Sequence, residues 1–353
     1  MIDPGMPVVV VPARNEEALL PKLLRALSRQ TILTRFREPL EIVVVLNNTD
    51  DGSGLAARHA VAGLPQLRLT MVDVHFPAGQ AHVGSARSLA MGIGSAMIGD
   101  RAGVILTTDA DAVPRDDWID GNLRAIAAGA DLVGGRIVGD PEEEDLLGPE
   151  FLRRAAMHAR YAALRDQLAA AIDPLDYDPW PRHHDHTGAS LAVRNNVYRD
   201  VGGLDPLPFR EDLAFVAKVQ AAGFRLRHAP EVSVTVSART VGRAAGGMAE
   251  CLRNWIREEL SGAPILVECP RSVQARLILR RRLRVLQGRP PSLLRPCLDR
   301  LGLPETSYRS TVPGLIARFA ADDPDAVGTM PAALAIAQLE QMIATSGALA
   351  NAA

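Results

Sequence analysis

Short β-branched and apolar runs alternate with helix-patterned segments along the first third of this 353-residue chain. The apolar runs predict β-strands at residues 7–11, 41–46, 67–74 and 103–108, and helical spacing falls at residues 19–27 and 85–97. Strands that alternate with helices favour a mostly parallel sheet with helices on both faces. Ligands of such sheets bind outside the carboxyl ends of the strands. We therefore predict an α/β, Rossmann-like fold with its functional site where the strands end.

Composition and charge limit the classes of protein to consider. Hydrophobic residues make up 47% of the chain and charged residues 23%, which is ordinary for a globular protein with a sizeable core. The length suggests about two domains. A formal net charge of -2 argues against a nucleic-acid-binding protein, which usually carries a strong basic excess.

The three cysteines are widely spaced and form no Cys-x-x-Cys motif, so neither a disulfide framework nor a thiolate zinc site is indicated. A reducing cytoplasm is the simplest setting for such a chain. The first residues lack the basic segment and cleavage site of a signal peptide. No stretch approaches the roughly 20 apolar residues that span a bilayer. We expect a cytoplasmic protein without a transmembrane segment.

The sequence Thr-Thr-Asp-Ala-Asp at residues 107–111 directly follows a predicted buried strand. Two carboxylates this close together can share one Mg²⁺ or Mn²⁺ ion, which prefers oxygen ligands and usually also binds substrate phosphates. The ion would neutralise charge that builds up as a diphosphate leaves. A solvated turn is the alternative for an isolated Asp-x-Asp.

Three further polar clusters occupy positions where a helix is predicted to begin. Pro-Ala-Arg-Asn-Glu-Glu at residues 12–17 could meet a nucleotide, or Asn15 could cap a helix whose dipole the glutamates favour. Arg87 could contact a phosphate or a carboxylate, since its planar fork suits both. Glu211 and Asp212 could cap a helix or supply a general base toward an acceptor hydroxyl.

Together these motifs resemble, in type and order, those of family 2 glycosyltransferases of the GT-A fold. The resemblance also includes the Asn/Asp turn at residues 47–52 and the glycine-containing segments at residues 188–190, 202–205 and 223–225, and it covers roughly residues 7–243. It implies a nucleoside diphosphate sugar as donor, Mg²⁺ or Mn²⁺ as cofactor, and a small-molecule or glycan acceptor.

The resemblance also implies roles for individual residues. Asp109 and Asp111 match the metal motif, Asp212 matches the catalytic base, and Glu211 stands beside it to hold the acceptor or aid the base. The implied donor contacts are Pro12, Arg14, Glu16, Asn48, Arg87 and Asp109. Asn48 falls where the family usually has a base-contacting aspartate, so the choice of nucleotide stays open. The Gln-x-x-Arg-Trp motif of processive synthases is absent, which favours transfer of a single sugar.

Histidines and arginines in the second half leave more than one interpretation open. The cluster His-His-Asp-His at residues 183–186 is predicted to contact acceptor or metal, or else to be a solvated loop. His228 is a further candidate metal ligand, on a loose match to related enzymes. Arg239 and Arg243 belong to a short basic loop that could close over a diphosphate.

Beyond residue 240 the pattern is helical, so we predict a catalytic domain over residues 1–240 and a helical C-terminal extension over residues 241–353. Its arginines favour a solvated or dimer-facing helix, although a basic amphipathic segment can also contact an anionic membrane surface. The arginines concerned are Arg271, Arg276, Arg280, Arg281, Arg282, Arg284 and Arg289.

The predicted reaction is transfer of one sugar to a soluble hydroxyl acceptor in a single displacement that inverts the anomeric centre. The same fold hosts retaining enzymes, including those that glycosylate phosphoglycerate, which are the alternative. A nucleotidyltransferase would need a glycine-rich basic first loop, which residues 12–17 do not form. A non-catalytic nucleotide-sugar-binding protein would need Asp109, Asp111 or Asp212 to be missing or misplaced.

Overall fold

The computed structural model describes residues 5–36, 38–242, 247–322 and 328–351. The first part of the chain alternates strands and helices: β1 (Met6–Ala13), α1 (Leu20–Ser28), β2 (Leu40–Asn47), α2 (Ser53–Val61), β3 (Leu67–Val74), α3 (Val83–Ile98) and β4 (Gly103–Thr107). Each of the four predicted strands and both predicted helices of this region is present, with ends that differ by at most two residues.

The middle of the chain adds four more strands and five helices within the described residues. They are β5 (Ala112–Pro114), α4 (Trp118–Ala127), β6 (Leu132–Gly139), α5 (Pro141–Asp145), α6 (Pro149–Ile172), β7 (Leu191–Arg194), α7 (Asn195–Asp200), α8 (Glu211–Ala221) and β8 (Leu226–Val236).

These strands form one sheet of eight strands within the described residues, in the order β3-β2-β1-β4-β7-β6-β8-β5. Strands β1 to β4 are parallel to their neighbours among themselves, and β6 is parallel to β8. Strand β7 runs antiparallel between β4 and β6, and the short β5 runs antiparallel along β8. The predicted mostly parallel α/β sheet flanked by helices is confirmed.

Apolar side chains cover both faces of the sheet. Val9 and Val11 of β1 point to one face, which α1, α2 and α4 cover, and Val8 and Val10 point to the other, which α3, α7 and α8 cover. Strands buried on both faces explain the continuous valine and isoleucine runs of β1 and β2. The polar groups of a site are consequently confined to the strand ends and the loops that follow them.

After β8 the described chain is mainly helical, with α9 (Met248–Leu260), β9 (Leu266–Val267), α10 (Pro270–Arg284), α11 (Pro291–Arg300), α12 (Val312–Phe319), β10 (Met330–Pro331) and α13 (Ala332–Asn351). Helix α6 packs against α10 and α13 through a separate apolar cluster that includes Leu168, Leu277 and Leu339. In the part of the chain that the structure describes, no helix has the length and apolar character needed to cross a membrane.

Candidate active site

A cavity of about 680 Å³ lies at the carboxyl ends of β1, β2 and β4. Its wall also includes the first residues of α3 and α8 and the segment after β8. The sequence clusters at residues 12–16, 109–111 and 210–212 all contribute to this wall, although they are far apart along the chain. The predicted position of the site, at the strand ends, therefore coincides with this cavity.

Asp109 and Asp111 follow β4 and lie side by side in this wall. The preceding Thr108 donates from Oγ1 to the carbonyl of Ala189 at 2.8 Å, which fixes the end of the strand. Burial, together with the charges of Asp109 and Glu16, raises the pKa of Asp111 to about 6, against the lowering effect of Arg239. Burial of Asp111 and its closeness to Asp109 thus make the ionised pair costly in the absence of a counter-charge.

Arg87, on the first turns of α3, is almost fully buried and joins the two acidic pairs of the cavity. Its Nη2 donates to Asp109 at 2.7 Å and its Nε donates to Glu211 at 2.9 Å. Its Nη1 donates to Thr107 Oγ1 at 2.8 Å and to the carbonyl of Gly188 at 3.0 Å. Four of the five guanidinium N–H donors are therefore used inside the protein.

The charge of Arg87 is set by these same neighbours. Burial alone would lower the pKa of the guanidinium, but the carboxylates of Asp109, Glu211 and Asp212 raise it above its usual value. A buried arginine stays charged here because it faces three acidic groups. Gly188 makes room for it, since a Cβ at that position would lie 2.3 Å from the guanidinium carbon.

Asp212 begins α8 beside the buried Glu211 and is held by backbone groups. Its carboxylate oxygens accept hydrogen bonds from the N–H of Gly188 at 2.6 Å and of Leu213 at 2.7 Å. The residue before this pair, Arg210, has a φ of 55°, a left-handed conformation that is rare for arginine and tends to occur at functional sites. The turn at Arg210 starts the helix so that both acids face the cavity.

The loops after β1 and β2 are bonded to each other. Asn15 Nδ2 donates to Asp50 Oδ1 at 2.5 Å, and Ser53 Oγ accepts from the N–H of Glu16 at 2.7 Å. Asn15 has a φ of 53°, which asparagine tolerates better than most residues. The first predicted cluster thus forms a rigid turn, and Pro12, Arg14 and Glu16 line the cavity from it.

Arg239 crosses the cavity from the segment after β8. It makes a two-pronged ion pair with Glu16, at 2.7 and 3.0 Å, and it lies 3.0 Å from Asp111 Oδ2. The hydrogen bonds to Glu16 and the charge of Asp111 raise the pKa of Arg239, although burial by itself would lower it. Arg239 is therefore in the predicted site, whereas Arg243 falls outside the described residues.

The two asparagines after β2 have different surroundings. Asn48 has a φ of 47° and is tied to the backbone of Phe76, donating to its carbonyl and accepting from its N–H, both at 3.0 Å. Asn47 lines the cavity, donates to the carbonyl of His82 at 3.1 Å, and has a buried Oδ1 without a partner among the described residues. The structure brings Asn47 to the cavity, and Asn48 is not part of its wall.

The histidine cluster lies behind the cavity wall. His228 Nδ1 bonds Asp178 at 3.0 Å, and its Nε2 bonds His186 Nδ1 at 3.1 Å, so both ring nitrogens are engaged. Burial, followed by the charge of His228, lowers the pKa of His186 to about 3. Neither histidine lines the cavity. The structure does not bring His228 to Asp109 and Asp111, as the sequence-based metal set required.

The remaining donor set suits a hard divalent cation. Asp109, Asp111 and Glu16 present carboxylate oxygens to the cavity, and burial followed by the charge of Asp109 raises the pKa of Asp111, an effect that a bound cation would oppose. No complete set of three or more such ligands is arranged around one point within the described ranges. Magnesium ordinarily takes one or two carboxylates plus substrate phosphates and water, so the two aspartates fit this pattern.

A mostly parallel α/β sheet, with paired carboxylates in a cavity at its strand ends, agrees with the GT-A-type architecture predicted from the sequence. Residues 8–173 match the family model described as Glycosyl transferase family 2. That part of the chain, slightly under half of it, matches the family 2 glycosyltransferase domain. No curated protein sequence matches the chain.

Three solved structures illustrate the range of similar folds. A mannosyltransferase from Pyrobaculum calidifontis, in complex with GDP-Man and Mn²⁺, is 18% identical, with a TM-score of 0.46 over 98% of this chain and 86% of that one. S. aureus TarS 1-349 with UDP is 15% identical, with a TM-score of 0.47 over 86% and 76%. Glucosyl-3-phosphoglycerate synthase from Mycobacterium tuberculosis is 16% identical, with a TM-score of 0.38 over 74% and 81%. Similarities this distant do not bear on the donor or acceptor of this chain.

Proposed function

We propose that this protein transfers a single sugar from a nucleoside diphosphate sugar to a hydroxyl group of a small-molecule or glycan acceptor, with inversion of the anomeric centre. Residues 1–240 would form the catalytic domain and residues 241–353 the helical extension. The observation that carries this proposal is that one cavity holds Asp109 and Asp111 together with Asp212, and that the buried Arg87 joins the two groups.

Asp109 and Asp111 would hold Mg²⁺ or Mn²⁺. When bound, such a cation neutralises the negative charge of a leaving diphosphate. Arg87 keeps Asp109 oriented toward the cavity, because its Nη2 holds one carboxylate oxygen and leaves the other unconstrained by that bond. The closeness of the buried Asp111 to Asp109, which helps to raise its pKa, supports cation binding in this position.

Asn47 would bind the nucleotide base of the donor sugar nucleotide. The sequence predicts this contact for Asn48. The side-chain amide of Asn48 is hydrogen-bonded to the backbone of Phe76. The Oδ1 of Asn47, by contrast, is buried and has no hydrogen-bond partner among the described residues. A buried acceptor without a hydrogen bond is costly, so a base N–H that reaches Oδ1 stabilises the complex. Arg14 and Arg239 lie in the same wall and would contact the diphosphate, since guanidinium groups suit phosphate oxygens.

Asp212 would act as the general base. The two backbone N–H bonds fix its orientation while leaving further lone pairs on each oxygen to accept the acceptor hydroxyl proton. Glu211 is tied to Arg87 and buried, so it positions the helix start instead of reacting. One base opposite a leaving diphosphate is the arrangement that a single inverting displacement needs.

A thermal-shift screen against UDP-, GDP-, TDP- and ADP-sugars, with and without Mn²⁺, tests the proposal. A ligand present at about 100 times its Kd stabilises the folded state by about 2.7 kcal/mol. We expect one nucleotide class to raise Tm only with Mn²⁺, and Asp109→Ala or Asp111→Ala to remove the effect. Asp100→Ala, at an exposed carboxylate outside the cavity, is the matched control. The proposal fails if no nucleotide shifts Tm, or if both cavity variants respond like the control.

A further inference from the structure

The arginines of α10 divide into an inner and an outer group. Arg276 pairs with Glu268 and Asp322, Arg280 bonds the carbonyl of Ala320, and Arg284 pairs with Asp173. These three side chains hold the C-terminal helices together and are only partly exposed. Their role is structural, which leaves the remaining arginines of the helix to be explained.

The outer group forms one exposed stripe, here named the basic face. It runs along α10 at helical spacing and continues just past its end, through Arg271, Ala275, Ile278, Arg282, Val285 and Arg289. Residues at this spacing share one side of a helix. Within the described residues, Arg271, Arg282 and Arg289 have no carboxylate partner, and the stripe itself contains no acidic residue.

A groove of about 500 Å³ adjoins the basic face between α10 and α11. Its wall combines three arginines with aliphatic side chains: Ile278, Arg281, Arg282, Val285, Arg300 and Leu301. Ile278 and Val285 of this surface are exposed by 37% and 59%. Ile278 and Val285 share one side of the helix with Arg271, Arg282 and Arg289, so apolar and basic side chains alternate along one exposed stripe.

We propose that the basic face docks the protein on an anionic lipid bilayer. The arginines would lie among the headgroups, and Ile278 and Val285 would enter the boundary with the acyl chains. Such a bilayer surface has a charged headgroup region and, below it, an apolar boundary with the acyl chains. Basic side chains are attracted to the anionic headgroups, and the neighbouring aliphatic side chains partition into the interface. The chain carries a net charge of -2, so the attraction is a local property of this face.

Flotation with large unilamellar vesicles tests the docking. We expect binding to vesicles of phosphatidylcholine with phosphatidylglycerol, no binding to phosphatidylcholine alone, and weakening by salt, because salt screens exposed charges. Each neutralised arginine is expected to lower the partition coefficient about fivefold, so Arg271→Gln, Arg282→Gln and Arg289→Gln together lower it on the order of a hundredfold.

The matched control neutralises three exposed arginines on α1, α2 and α4: Arg25→Gln, Arg58→Gln and Arg124→Gln. It removes the same charge and should leave binding within about twofold of the wild type, because these positions lie off the face. A second variant, Ile278→Gln with Val285→Gln, keeps every arginine and is expected to lower binding at least about tenfold. All these positions are exposed, and urea unfolding checks that the variants remain folded.

Three outcomes overturn the proposal. The first is that the wild type does not float with anionic vesicles at low salt. The second is that the triple variant of the basic face and the triple control variant lose binding equally. The third is that heparin binds with the same dependence on Arg271, Arg282 and Arg289 while the aliphatic variant binds vesicles normally, which would make a polyanion the partner.

Discussion

At the scale of single residues, the buried guanidinium of Arg87 holds the site together. It contacts Asp109 on one side and Glu211 on the other, and it bonds the carbonyl of Gly188, whose N–H orients Asp212. Both carboxylates lose a charged partner if the guanidinium is removed. The position of the proposed metal ligand and that of the proposed base therefore depend on the same side chain.

Arg87→Met is expected to destabilise the protein by about 3–5 kcal/mol, because it leaves the buried Glu211 without its counter-charge. Urea unfolding followed by circular dichroism measures the change. Arg199→Met removes an exposed pair with Asp100 and should cost less than about 1 kcal/mol. Equal losses for the two variants would contradict the role of Arg87 as the centre of the site.

Asp111 predicts a pH dependence for donor binding. Burial is the main cause that raises the pKa of Asp111 to about 6, and the charge of Asp109 is the second. The Asp111 carboxyl is therefore mostly ionised, and free to bind metal, only above that pH. Protons compete with metal for a carboxylate, and Mn²⁺-dependent nucleotide affinity should therefore fall below pH 6, approaching about tenfold per pH unit. Calorimetric titration from about pH 7.5 to about pH 5 measures it, and an affinity that stays constant over this range would exclude the assignment.

The same shift affects stability without metal. A carboxyl whose pKa is raised on folding stabilises the folded state below its unfolded pKa of 3.8, and this contribution is lost as the pH rises through about 6. The free energy of unfolding should therefore depend less on pH across this window in Asp111→Asn than in the wild type. If the two proteins show the same dependence, the raised pKa belongs to another group.

At the scale of elements, the segment before β7 connects the proposed base to the sheet. Gly188 accepts from Arg87 through its carbonyl and donates through its N–H to Asp212, and a Cβ there would overlap the guanidinium. The glycine is needed for close approach of a side chain, since its own backbone is not left-handed.

Gly188→Ala is expected to displace Arg87 and to cost about 1–3 kcal/mol of stability, as overpacking of a buried position does. It should also abolish turnover, because Asp212 loses its orientation. Gly92→Ala is the control: a Cβ meets nothing within 4 Å there, and alanine should stabilise α3 by about 0.5–1 kcal/mol. Thermal unfolding and donor turnover are measured for both variants. Normal turnover of Gly188→Ala would refute the claim that Gly188 orients Asp212.

Elements with continuous apolar runs were predictable from sequence, and those without were not. Strands β1, β2 and β4 are buried on both faces and therefore appear as apolar runs, and the cavity lies at their carboxyl ends. Strand β6 contains three glycines, and β5 has only three residues, so neither has a clear pattern. The antiparallel insertion of β7 depends on long-range pairing, which local patterns do not encode.

The same limit applies to the site. Asp109, Asp111, Arg87 and the pair at residues 211–212 lie in one wall because each follows a strand or begins a helix at the same edge. Asn47 lines the cavity and Asn48 does not, and the sequence could not distinguish them, because neighbouring residues at a strand end face opposite ways and the left-handed φ of Asn48 affects which one turns inward. His228 is not part of the cavity wall, because its side chain bonds Asp178 and His186, residues that are distant in sequence and that local patterns do not connect to it.

At the scale of the whole molecule, helix α6 ties the sheet region to the C-terminal helices. Its apolar residues share a cluster with α10 and α13, and Tyr161 donates to the carbonyl of Glu268 at 2.9 Å. Through α10 this connection reaches the basic face. Docking on a bilayer would therefore fix the orientation of the catalytic cavity relative to the surface, because the connecting helices are packed and not joined by an open linker.

The central claim is a metal-dependent inverting transfer in which Asp212 is the base, and ¹H NMR of the donor sugar tests it most directly. With the stabilising donor and Mn²⁺, we predict slow transfer to water whose first product has the opposite anomeric configuration, no reaction in EDTA, and donor binding without turnover in Asp212→Asn. A first product that retains its configuration would favour the retaining mechanism. Turnover that survives Asp212→Asn would remove the proposed base.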